Sequence, residues 1–301
     1  MQQDFNHLVT EARNAATQNL DELNSLEIAR VMNEEDARIA RAVHDELPAI
    51  ARAIDLAAAT LAGNGRVFYA GAGTSGRIGL LDASEWPPTF GVEPDAVQVI
   101  LAGGLDAAFG AAENAEDDEE DGYRRVRERV GPGDLVVGIT ASGRTPFVIG
   151  ALRAAREVGA RTVSVACNRP SPVEELADVA IAPIVGPEVI AGSTRLKAGT
   201  AQKMVLNMIS TGAMVRLGKV YQNLMVDMRA SNEKLRQRAV RIVLEATGCS
   251  EEEARRALRE AGMHVKTAIV MVLTGAGAAE ARARLEAAGG LVRRAVAARP
   301  A

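Results

Sequence analysis

Several residue types that often carry chemistry are scarce in this chain. It has only two cysteines, Cys167 and Cys249, which lie far apart and form no C-x-x-C pair. The sequence therefore indicates neither a disulfide framework nor a structural zinc site, and we expect two buried or idle thiols in a reducing cytoplasm. The three histidines show no metal-ligand spacing, so we expect no metal and assign acid–base chemistry to carboxylates.

An excess of one charge and long apolar runs are also lacking. The chain of 301 residues has 35 basic and 39 acidic residues and no long basic block, which argues against nucleic acid as a partner. The N-terminal stretch is polar, and no later run is long enough to span a bilayer. With 48% hydrophobic residues for a core, we expect a globular, cytoplasmic protein without a membrane partner.

The middle of the chain alternates between short β-rich runs and helical segments. The β-rich runs are RVFYA (66–70), AVQVILA (96–102), DLVVGIT (134–140), RTVSVAC (161–167) and DVAIAPIV (178–185). This alternation predicts an α/β fold with a doubly wound, mostly parallel sheet flanked by helices. Because ligands of such sheets bind beyond the carboxyl ends of the strands, the loops that follow these runs are candidate binding sites.

Helices are predicted on both sides of this region. Apolar spacing predicts helix over 20–63, with Pro48 as a break or kink, and again over 197–217. From about residue 230 the pattern is helical throughout, and Ser250 with Glu253 forms a capping box. We therefore expect N-terminal helices (1–54), a central domain (55–228) and a small C-terminal helical bundle (229–301).

The first candidate loop carries Gly71, Gly73 and Gly76 in the G-x-G-x-x-G spacing of dinucleotide sites. A dinucleotide fold also needs an acidic residue at the end of the second strand, to hold a ribose hydroxyl. Here that strand ends in Ala-Gly-Gly, and Asp106 comes two residues into the next loop. A dinucleotide is disfavoured for that reason, as is a nucleoside triphosphate, because no G-x-x-x-x-G-K-[ST] motif occurs. We expect no cofactor.

Three loops instead share small residues, hydroxyls and an arginine: TSGR (74–77), ASGRTP (141–146) and GSTR (192–195). Glycines let backbone N–H groups approach an anion, hydroxyls donate, and the following helix N-terminus adds its positive end. The alternative is that these residues only cap helices and form tight turns. Three such loops together favour a site for a small phosphorylated, hydroxyl-rich molecule such as a sugar phosphate.

Two carboxylates are candidates for proton transfer. Glu85, in ASEWPPTFG just beyond the first helix of the central domain, has two prolines and Trp86 beside it, which predicts an apolar setting that raises a carboxyl pKa. A solvated surface carboxylate is the equal alternative. Glu116 closes a predicted helical stripe from Ala112 within an acidic run, most of which we expect to be solvated.

The longer motifs resemble a known family. GAGTSGRIGLLDASEWPPTFG, GITASGRTPFVIGAL, GPEVIAGSTRLKAGTAQK and the early TEARNAAT resemble the N-acetylmuramic acid 6-phosphate etherases, which are built on a sugar-isomerase (SIS) domain. The resemblance runs from about residue 9 to the end. It implies an SIS-type sheet, a ubiquitin-associated (UBA)-like C-terminal bundle and a homodimer. The implied reaction splits the D-lactyl ether of N-acetylmuramic acid 6-phosphate by elimination and hydration, during cell-wall recycling.

The resemblance also implies roles for residues of this sequence. Glu85 matches the acid/base that protonates lactate and activates water, and Glu116 matches the second carboxylate, for C2 deprotonation or ring opening. Arg195 and Lys197 become candidates for the lactyl carboxylate or for positioning. The expected substrate contacts are Gly73, Thr74, Ser75, Ser142, Arg144, Thr145, Ser193, Thr194, Arg195 and Lys197.

The sequence departs from the family pattern at Trp86, where relatives usually carry cysteine, and at Leu196, where they usually carry methionine. Neither change removes a catalytic group, but Trp86 beside Glu85 puts rate and fine specificity in doubt. Two rival functions share the fold: a sugar-phosphate sensor like the glucokinase regulators, and an aldose–ketose isomerase. The single SIS domain disfavours the sensor, and the etherase-like motifs disfavour the isomerase.

Overall fold

A five-stranded sheet lies at the centre of the first part of the chain. The computed structural model describes residues 8–110, 114–228 and 233–297. The strands are β1 (Val67–Gly71), β2 (Val97–Leu101), β3 (Leu135–Ile139), β4 (Arg161–Val165) and β5 (Val179–Ile181). Every neighbouring pair is parallel, in the order β2-β1-β3-β4-β5. All five runs predicted as strands are confirmed.

The strands form here because both faces of the sheet are covered, so nearly continuous apolar runs are stable in them. On one face Phe68 and Val136 pack with Phe147 and Leu152 of the helix that follows β3. A Cβ on Gly138 would lie 2.9 Å from the Leu152 side chain, so the glycine lets that helix approach β3 closely. This close packing fixes the start of the helix at the carboxyl edge of the sheet.

Helices precede, connect and follow the strands. They are α1 (Ser25–Asp36), α2 (Ile39–Asp45), α3 (Leu47–Ala62), α4 (Gly73–Phe90), α5 (Glu119–Arg129), α6 (Pro146–Glu157), α7 (Pro172–Glu175), α8 (Lys197–Arg216), α9 (Glu233–Thr247), α10 (Glu251–Glu260), α11 (Val265–Thr274), α12 (Ala278–Ala287) and α13 (Val292–Ala297). Short 3₁₀ turns lie at Val9–Glu11, Ala15–Thr17, Leu20–Glu22, Leu105–Ala108 and Ala115–Asp117.

The predicted helix over 20–63 is divided into a 3₁₀ turn and three helices. Pro48 was expected to break or kink the helix, and it coincides with a break, because α2 ends at Asp45 and Pro48 lies in the first turn of α3. The missing N–H of a proline costs nothing there, since the first turn has no intrahelical acceptor for it. The proline therefore marks the beginning of a helix.

The C-terminal helices pack around a core of their own. Val243, Leu258, Ile269 and Leu285 are among its buried members. The Ser250 side chain accepts a hydrogen bond from the Glu253 N–H and so caps α10. A short antiparallel hairpin of β6 (Val220–Tyr221) and β7 (Leu224–Met225) precedes this bundle. The sequence did not predict the hairpin, because strands of two residues show no periodicity.

The chain divides into two compact units. The first comprises Met1–Ala83 and Asp95–Ser210, and the second Ser84–Pro94 and Thr211–Ala301. The domain boundaries expected at 54 and 228 remain predictions. Within the described ranges, no helix combines the length and the apolar character that crossing a bilayer requires.

Candidate functional site

A cavity of about 320 Å³ lies in the first unit, lined by the loops that follow β1 and β3. The sheet order reverses between these two neighbouring strands, and such a switch point is where doubly wound sheets bind ligands. Gly71 pairs with Ile139 at the last position of both strands, so the two loops begin side by side. The predicted site residues that line the cavity are Gly73, Thr74, Ser75, Glu116, Ser142, Arg144, Thr145 and Thr194.

Two glycines of the G-x-G-x-x-G spacing, Gly71 and Gly76, allow close packing of β1 against α4, whereas Gly73 provides a positive φ angle. A Cβ on Gly76 would lie 2.3 Å from Leu101 Cδ1 and 2.7 Å from the Gly71 carbonyl oxygen. Gly73 has φ +52°, and a Cβ there would meet no atom within 4 Å. The glycines thus bring the first turn of α4 against the end of β1 and leave its N–H groups at the cavity.

Hydroxyl groups dominate the loop between β3 and α6. Thr140 Oγ1 and Thr145 Oγ1 share a hydrogen bond of 2.7 Å, and the Arg144 N–H donates to Ser142 Oγ at 3.1 Å. Gly143 has φ +74°, and a Cβ there would lie 2.4 Å from Ser171 Cβ. Two helices also begin at this cavity: α4, of 18 residues, at Gly73, and α6, of 12 residues, at Pro146. Their N-termini and the hydroxyls together suit a phosphate group.

The arginines of the three loops differ in what they contact. Arg144 lines the cavity. Arg77 does not, because its guanidinium donates to the carbonyl oxygens of Ala108 at 3.1 Å and Gly110 at 2.9 Å and so holds the loop after β2. Arg195 is exposed and is not among the lining residues. Of these three loop arginines, Arg144 is the one placed to contact a bound anion.

The third loop contributes Gly192 and Thr194 to the cavity, whereas Ser193 does not line it. Lys197, the first residue of α8, is buried, and its Nζ lies 2.6 Å from Glu35 Oε2. Burial alone would raise the pKa of the Glu35 carboxyl, but hydrogen bonds from Lys197 and Asn14 outweigh it and lower that pKa. The lysine charge is therefore neutralised inside the chain, away from the cavity lining.

The Glu116 carboxylate lies at the cavity, next to Asp117. The expected helical stripe is wrong at this point, since Glu116 lies on a 3₁₀ turn that ends before α5 begins. Asn114 precedes this turn with φ +60°, a left-handed conformation that Asn tolerates better than most residues. Ala112, where the stripe was expected to begin, lies outside the described residues.

Glu85 belongs to the second unit, is not among the residues that line the cavity, and is exposed, so the expected apolar setting is wrong and the solvated alternative applies. It lies within α4 rather than beyond it, because the helix continues through Pro87 and Pro88 to Phe90. The φ angle of proline is helical, so the last turn accommodates both residues, at the cost of their N–H hydrogen bonds and of crowding between each ring and the carbonyl group four residues before. Trp86 is buried.

A further carboxylate, Glu11, lines the cavity and was not assigned a role from the sequence. It ends the 3₁₀ turn Val9–Glu11, which hydrogen bonds hold in place. The Val9 N–H donates to Asn168 Oδ1 at 2.8 Å, and the Gly192 N–H donates to the Thr10 carbonyl oxygen at 3.3 Å. The only sequence signal was its position in TEARNAAT, one of the family motifs.

The parts of the chain that the structure describes hold no group of three or more His, Cys, Asp or Glu side chains suited to a metal ion. Burial raises the pKa of the Cys167 thiol to about 12, so this thiol is protonated at neutral pH. The polar groups of the cavity are hydroxyls, carboxylates, backbone N–H groups and one arginine. Such a set binds a phosphorylated, hydroxyl-rich ligand and offers carboxylates for proton transfer.

Three family models match the chain. The glucokinase regulatory protein N-terminal SIS domain matches residues 49–156, and the SIS domain matches residues 113–211. The C-terminal lid domain of glucokinase regulatory protein matches residues 222–265. These matches give the chain an SIS fold followed by a helical lid domain, in agreement with the predicted fold class.

The chain is also similar to curated proteins over most of its length. The N-acetylmuramic acid 6-phosphate etherase of Symbiobacterium thermophilum is 60% identical over 89% of this chain and 89% of its own. The protein of the same name from Geobacillus thermodenitrificans is 56% identical over 96% of this chain and 99% of its own. Among solved structures, a phosphoheptose isomerase from Francisella tularensis aligns with TM-score 0.51 and 17% identity. It covers 64% of this chain and 100% of its own, which supports the fold alone.

Proposed function

The chain belongs to the N-acetylmuramic acid 6-phosphate etherase family, and we propose that it cleaves the D-lactyl ether of N-acetylmuramic acid 6-phosphate. The products are N-acetylglucosamine 6-phosphate and D-lactate, so the enzyme is a carbon–oxygen lyase. We assign the reaction to peptidoglycan recycling and amino-sugar catabolism in the cytoplasm. The observation that carries the proposal beyond the family is the cavity at the β1/β3 switch point, where phosphate-binding groups lie beside Glu116.

The substrate phosphate is proposed to bind at the loops after β1 and β3. Thr74, Ser75, Ser142 and Thr145 supply hydroxyls there, and Arg144 supplies a positive charge. The N-termini of α4 and α6 add backbone N–H groups and the positive ends of two helix dipoles. The sugar then extends from this end of the cavity towards Glu116.

The reaction proceeds through the open-chain aldehyde, in which the carbonyl acidifies the hydrogen on C2. Glu116 removes this proton, the C2–H electron pair becomes the C2–C3 double bond, and the C3–O bond breaks with its electron pair leaving on the lactate oxygen; assistance of ring opening is the alternative role of Glu116. Glu85 protonates that oxygen and, now a carboxylate, takes a proton from the water that adds to C3. C2 regains a proton, which completes N-acetylglucosamine 6-phosphate. Two carboxylates suit this series of steps, because one of them must act first as an acid and then as a base.

Arg195 and Lys197 remain candidates for the lactyl carboxylate or for positioning, and Ser193 for a substrate contact. The exposed guanidinium of Arg195 is free to meet an anion from solvent, whereas the ion pair with Glu35 favours a positioning role for Lys197. An Arg195→Ala variant with the kinetics of the wild type would remove Arg195 from the proposal.

We also propose a homodimer, on the resemblance to SIS proteins that work as dimers. The measurement is the mass of the full chain in solution by light scattering across a concentration series. A mass that stays at one chain, 31.7 kDa, throughout the series would contradict this part of the proposal.

The experiment for the reaction is D-lactate release from N-acetylmuramic acid 6-phosphate in D2O, with the recovered sugar analysed for deuterium at C2. The wild type should release D-lactate and yield C2-deuterated sugar. Glu85→Gln and Glu116→Gln should each lose about 10²–10⁴-fold in rate, the usual contribution of a general acid or base. Glu120→Gln, an exposed carboxylate on α5 outside the cavity lining, is the matched control and should retain full activity.

Sugar-phosphate binding without lactate release by the wild type would instead favour a sensor. Release of a ketose phosphate would favour an isomerase. Lactate release without deuterium at C2 would contradict a C2 proton transfer that exchanges with solvent, while leaving the etherase activity in place.

A further inference from the structure

The Glu11 side chain is held at the cavity by the N-terminal segment 8–17, which we call the strap. The Asn168 side chain anchors the strap, since its Nδ2 donates to Thr10 Oγ1 and to the Ala141 carbonyl oxygen, both at 3.0 Å. Asn168 is 2% exposed. The strap is thereby fixed to the loop that begins at Ala141, on the phosphate side of the cavity.

The strap is fixed to the third loop as well. Thr17 Oγ1 donates to the Val189 carbonyl oxygen at 2.9 Å, and the Gly192 N–H donates to the Thr10 carbonyl oxygen. A Cβ on Gly192 would lie only 3.2 Å from Glu11 Oε2, so the carboxylate lies directly against this loop. Glu11 is therefore placed by contacts on both sides of the cavity.

Charge determines what Glu11 can bind. The described residues that line the cavity include one cation, Arg144, against the carboxylates of Glu11, Glu116 and Asp117. A carboxylate repels a phosphate or a lactyl carboxylate and accepts hydrogen bonds from neutral donors. The phosphate must accordingly occupy the hydroxyl end, and Glu11 must face a part of the ligand that carries O–H or N–H groups.

We infer that Glu11 is a substrate-binding residue that accepts a hydrogen bond from a hydroxyl or the acetamido N–H of the sugar. This inference rests on the proposed function, because it takes the occupant of the cavity to be an amino-sugar phosphate. A hydrogen bond to an ionised acceptor is about twice as strong as one between neutral groups, so the carboxylate selects for the sugar part of the ligand. Inorganic phosphate, which lacks that part, gains nothing from Glu11.

Binding can be measured without turnover by using the product-class ligand N-acetylglucosamine 6-phosphate, with inorganic phosphate as the second probe. Calorimetry on the full chain should show Glu11→Gln binding the sugar phosphate about tenfold more weakly than the wild type, the loss expected for one charged hydrogen bond. Inorganic phosphate should bind equally well or more tightly, because a negative charge has been removed. Glu22→Gln, an exposed strap neighbour outside the cavity lining, should match the wild type for both probes.

The two probes distinguish a binding role of Glu11 from a merely structural one, because only a binding role weakens sugar-phosphate affinity without weakening phosphate affinity. Equal weakening of both probes in Glu11→Gln would mean that the strap only holds the loops, and the inference would be overturned. Unchanged sugar-phosphate binding would overturn it as well, while leaving the etherase activity of the wild type intact. If the wild type binds the sugar phosphate and releases no lactate, the proposed reaction fails, but the Glu11 contact is still decided by these binding data.

Discussion

Lys197 Nζ and Glu35 Oε2 lie 2.6 Å apart, and the two side chains are 1% and 3% exposed. The pair joins the first turn of α8 to α1, two elements that are far apart in the chain. Glu188, also buried, accepts the N–H groups of Lys197 and Ala198 at 2.9 Å each. These contacts fix the start of α8 and with it the loop that carries Gly192 and Thr194 to the cavity.

Replacing Lys197 with Met should therefore destabilise the first unit strongly. Removing one partner of a buried ion pair leaves the other charge buried, which costs about 3–5 kcal/mol. Chemical unfolding followed by circular dichroism measures this loss. Arg38→Met is the matched control, because Arg38 contacts the same carboxylate at 2.9 Å but is 69% exposed, and exposed pairs contribute about 0–1 kcal/mol. Equal losses in the two variants would contradict the assignment of Lys197 to a buried pair.

Gly143→Ala should weaken phosphate binding. The new Cβ would lie 2.4 Å from Ser171 Cβ, and φ is +74°, so the loop with Ser142 and Thr145 must shift. We expect the KM for the sugar phosphate to rise about tenfold or more. Gly159→Ala provides the control, since Gly159 also has positive φ, +81°, but its nearest neighbour would be 3.7 Å away. That variant should lose about 1–2 kcal/mol of stability, the cost of a left-handed conformation for a residue other than glycine, and keep its KM.

Gly76→Ala should impair folding. Its Cβ would overlap Leu101 Cδ1 and the Gly71 carbonyl oxygen, so α4 must move away from β1. We expect a destabilisation of about 1–3 kcal/mol, which is typical of overpacking. Gly63→Ala, whose Cβ would make ordinary contacts at 3.4 and 3.5 Å, should unfold close to the wild-type midpoint.

Neither the wild type nor the variants should bind a nicotinamide dinucleotide in a fluorescence titration.

The second unit should lose stability in acid because of Asp227. Its carboxylate lies 2.8 Å from Lys266 Nζ and 2.9 Å from Lys219 Nζ. Burial would raise the pKa of Asp227, but the neighbouring His264 ring and the ammonium groups of the two lysines outweigh burial and lower it well below 3.8. This contribution is therefore complete above about pH 4 and is lost as the pH falls towards the lowered pKa.

Asp227→Asn removes that contribution at neutral pH and leaves Lys266, which is 7% exposed, without its anion. We expect a loss of about 3–5 kcal/mol at pH 7 and a weaker dependence of stability on pH below 4. Unfolding midpoints measured from pH 2.5 to 7 provide the comparison. Glu245→Gln removes the exposed pair with Arg241 in the same unit and should change the midpoints little. A parallel decline of Asp227→Asn and wild type in acid would show that another group is responsible.

The strands and anion loops could be predicted from sequence because their signals are local. β1 and β3 bury every residue and so are continuous apolar runs, and the hydroxyls and glycines of a loop lie within a few residues of one another. The partner of Lys197 could not be predicted, because Glu35 lies 162 residues away and no short-range pattern joins them. The position of Glu11 beside Gly192 could not be predicted for the same reason, because these two residues are also far apart in the chain. Glu85 was expected beyond its helix, whereas α4 continues through Pro87 and Pro88 to Phe90.

The strap has a consequence for the order in which activity returns during refolding. The Val9–Asn168 and Asn168–Thr10 hydrogen bonds span 159 and 158 residues, so they close some of the longest loops in the chain. Contacts of such separation are costly in chain entropy and gain little until both ends are already ordered. The sheet and most helices can therefore form while the cavity still lacks one wall. Recovery of catalytic activity should lag behind recovery of helical signal, because the enzyme becomes competent only when the strap docks.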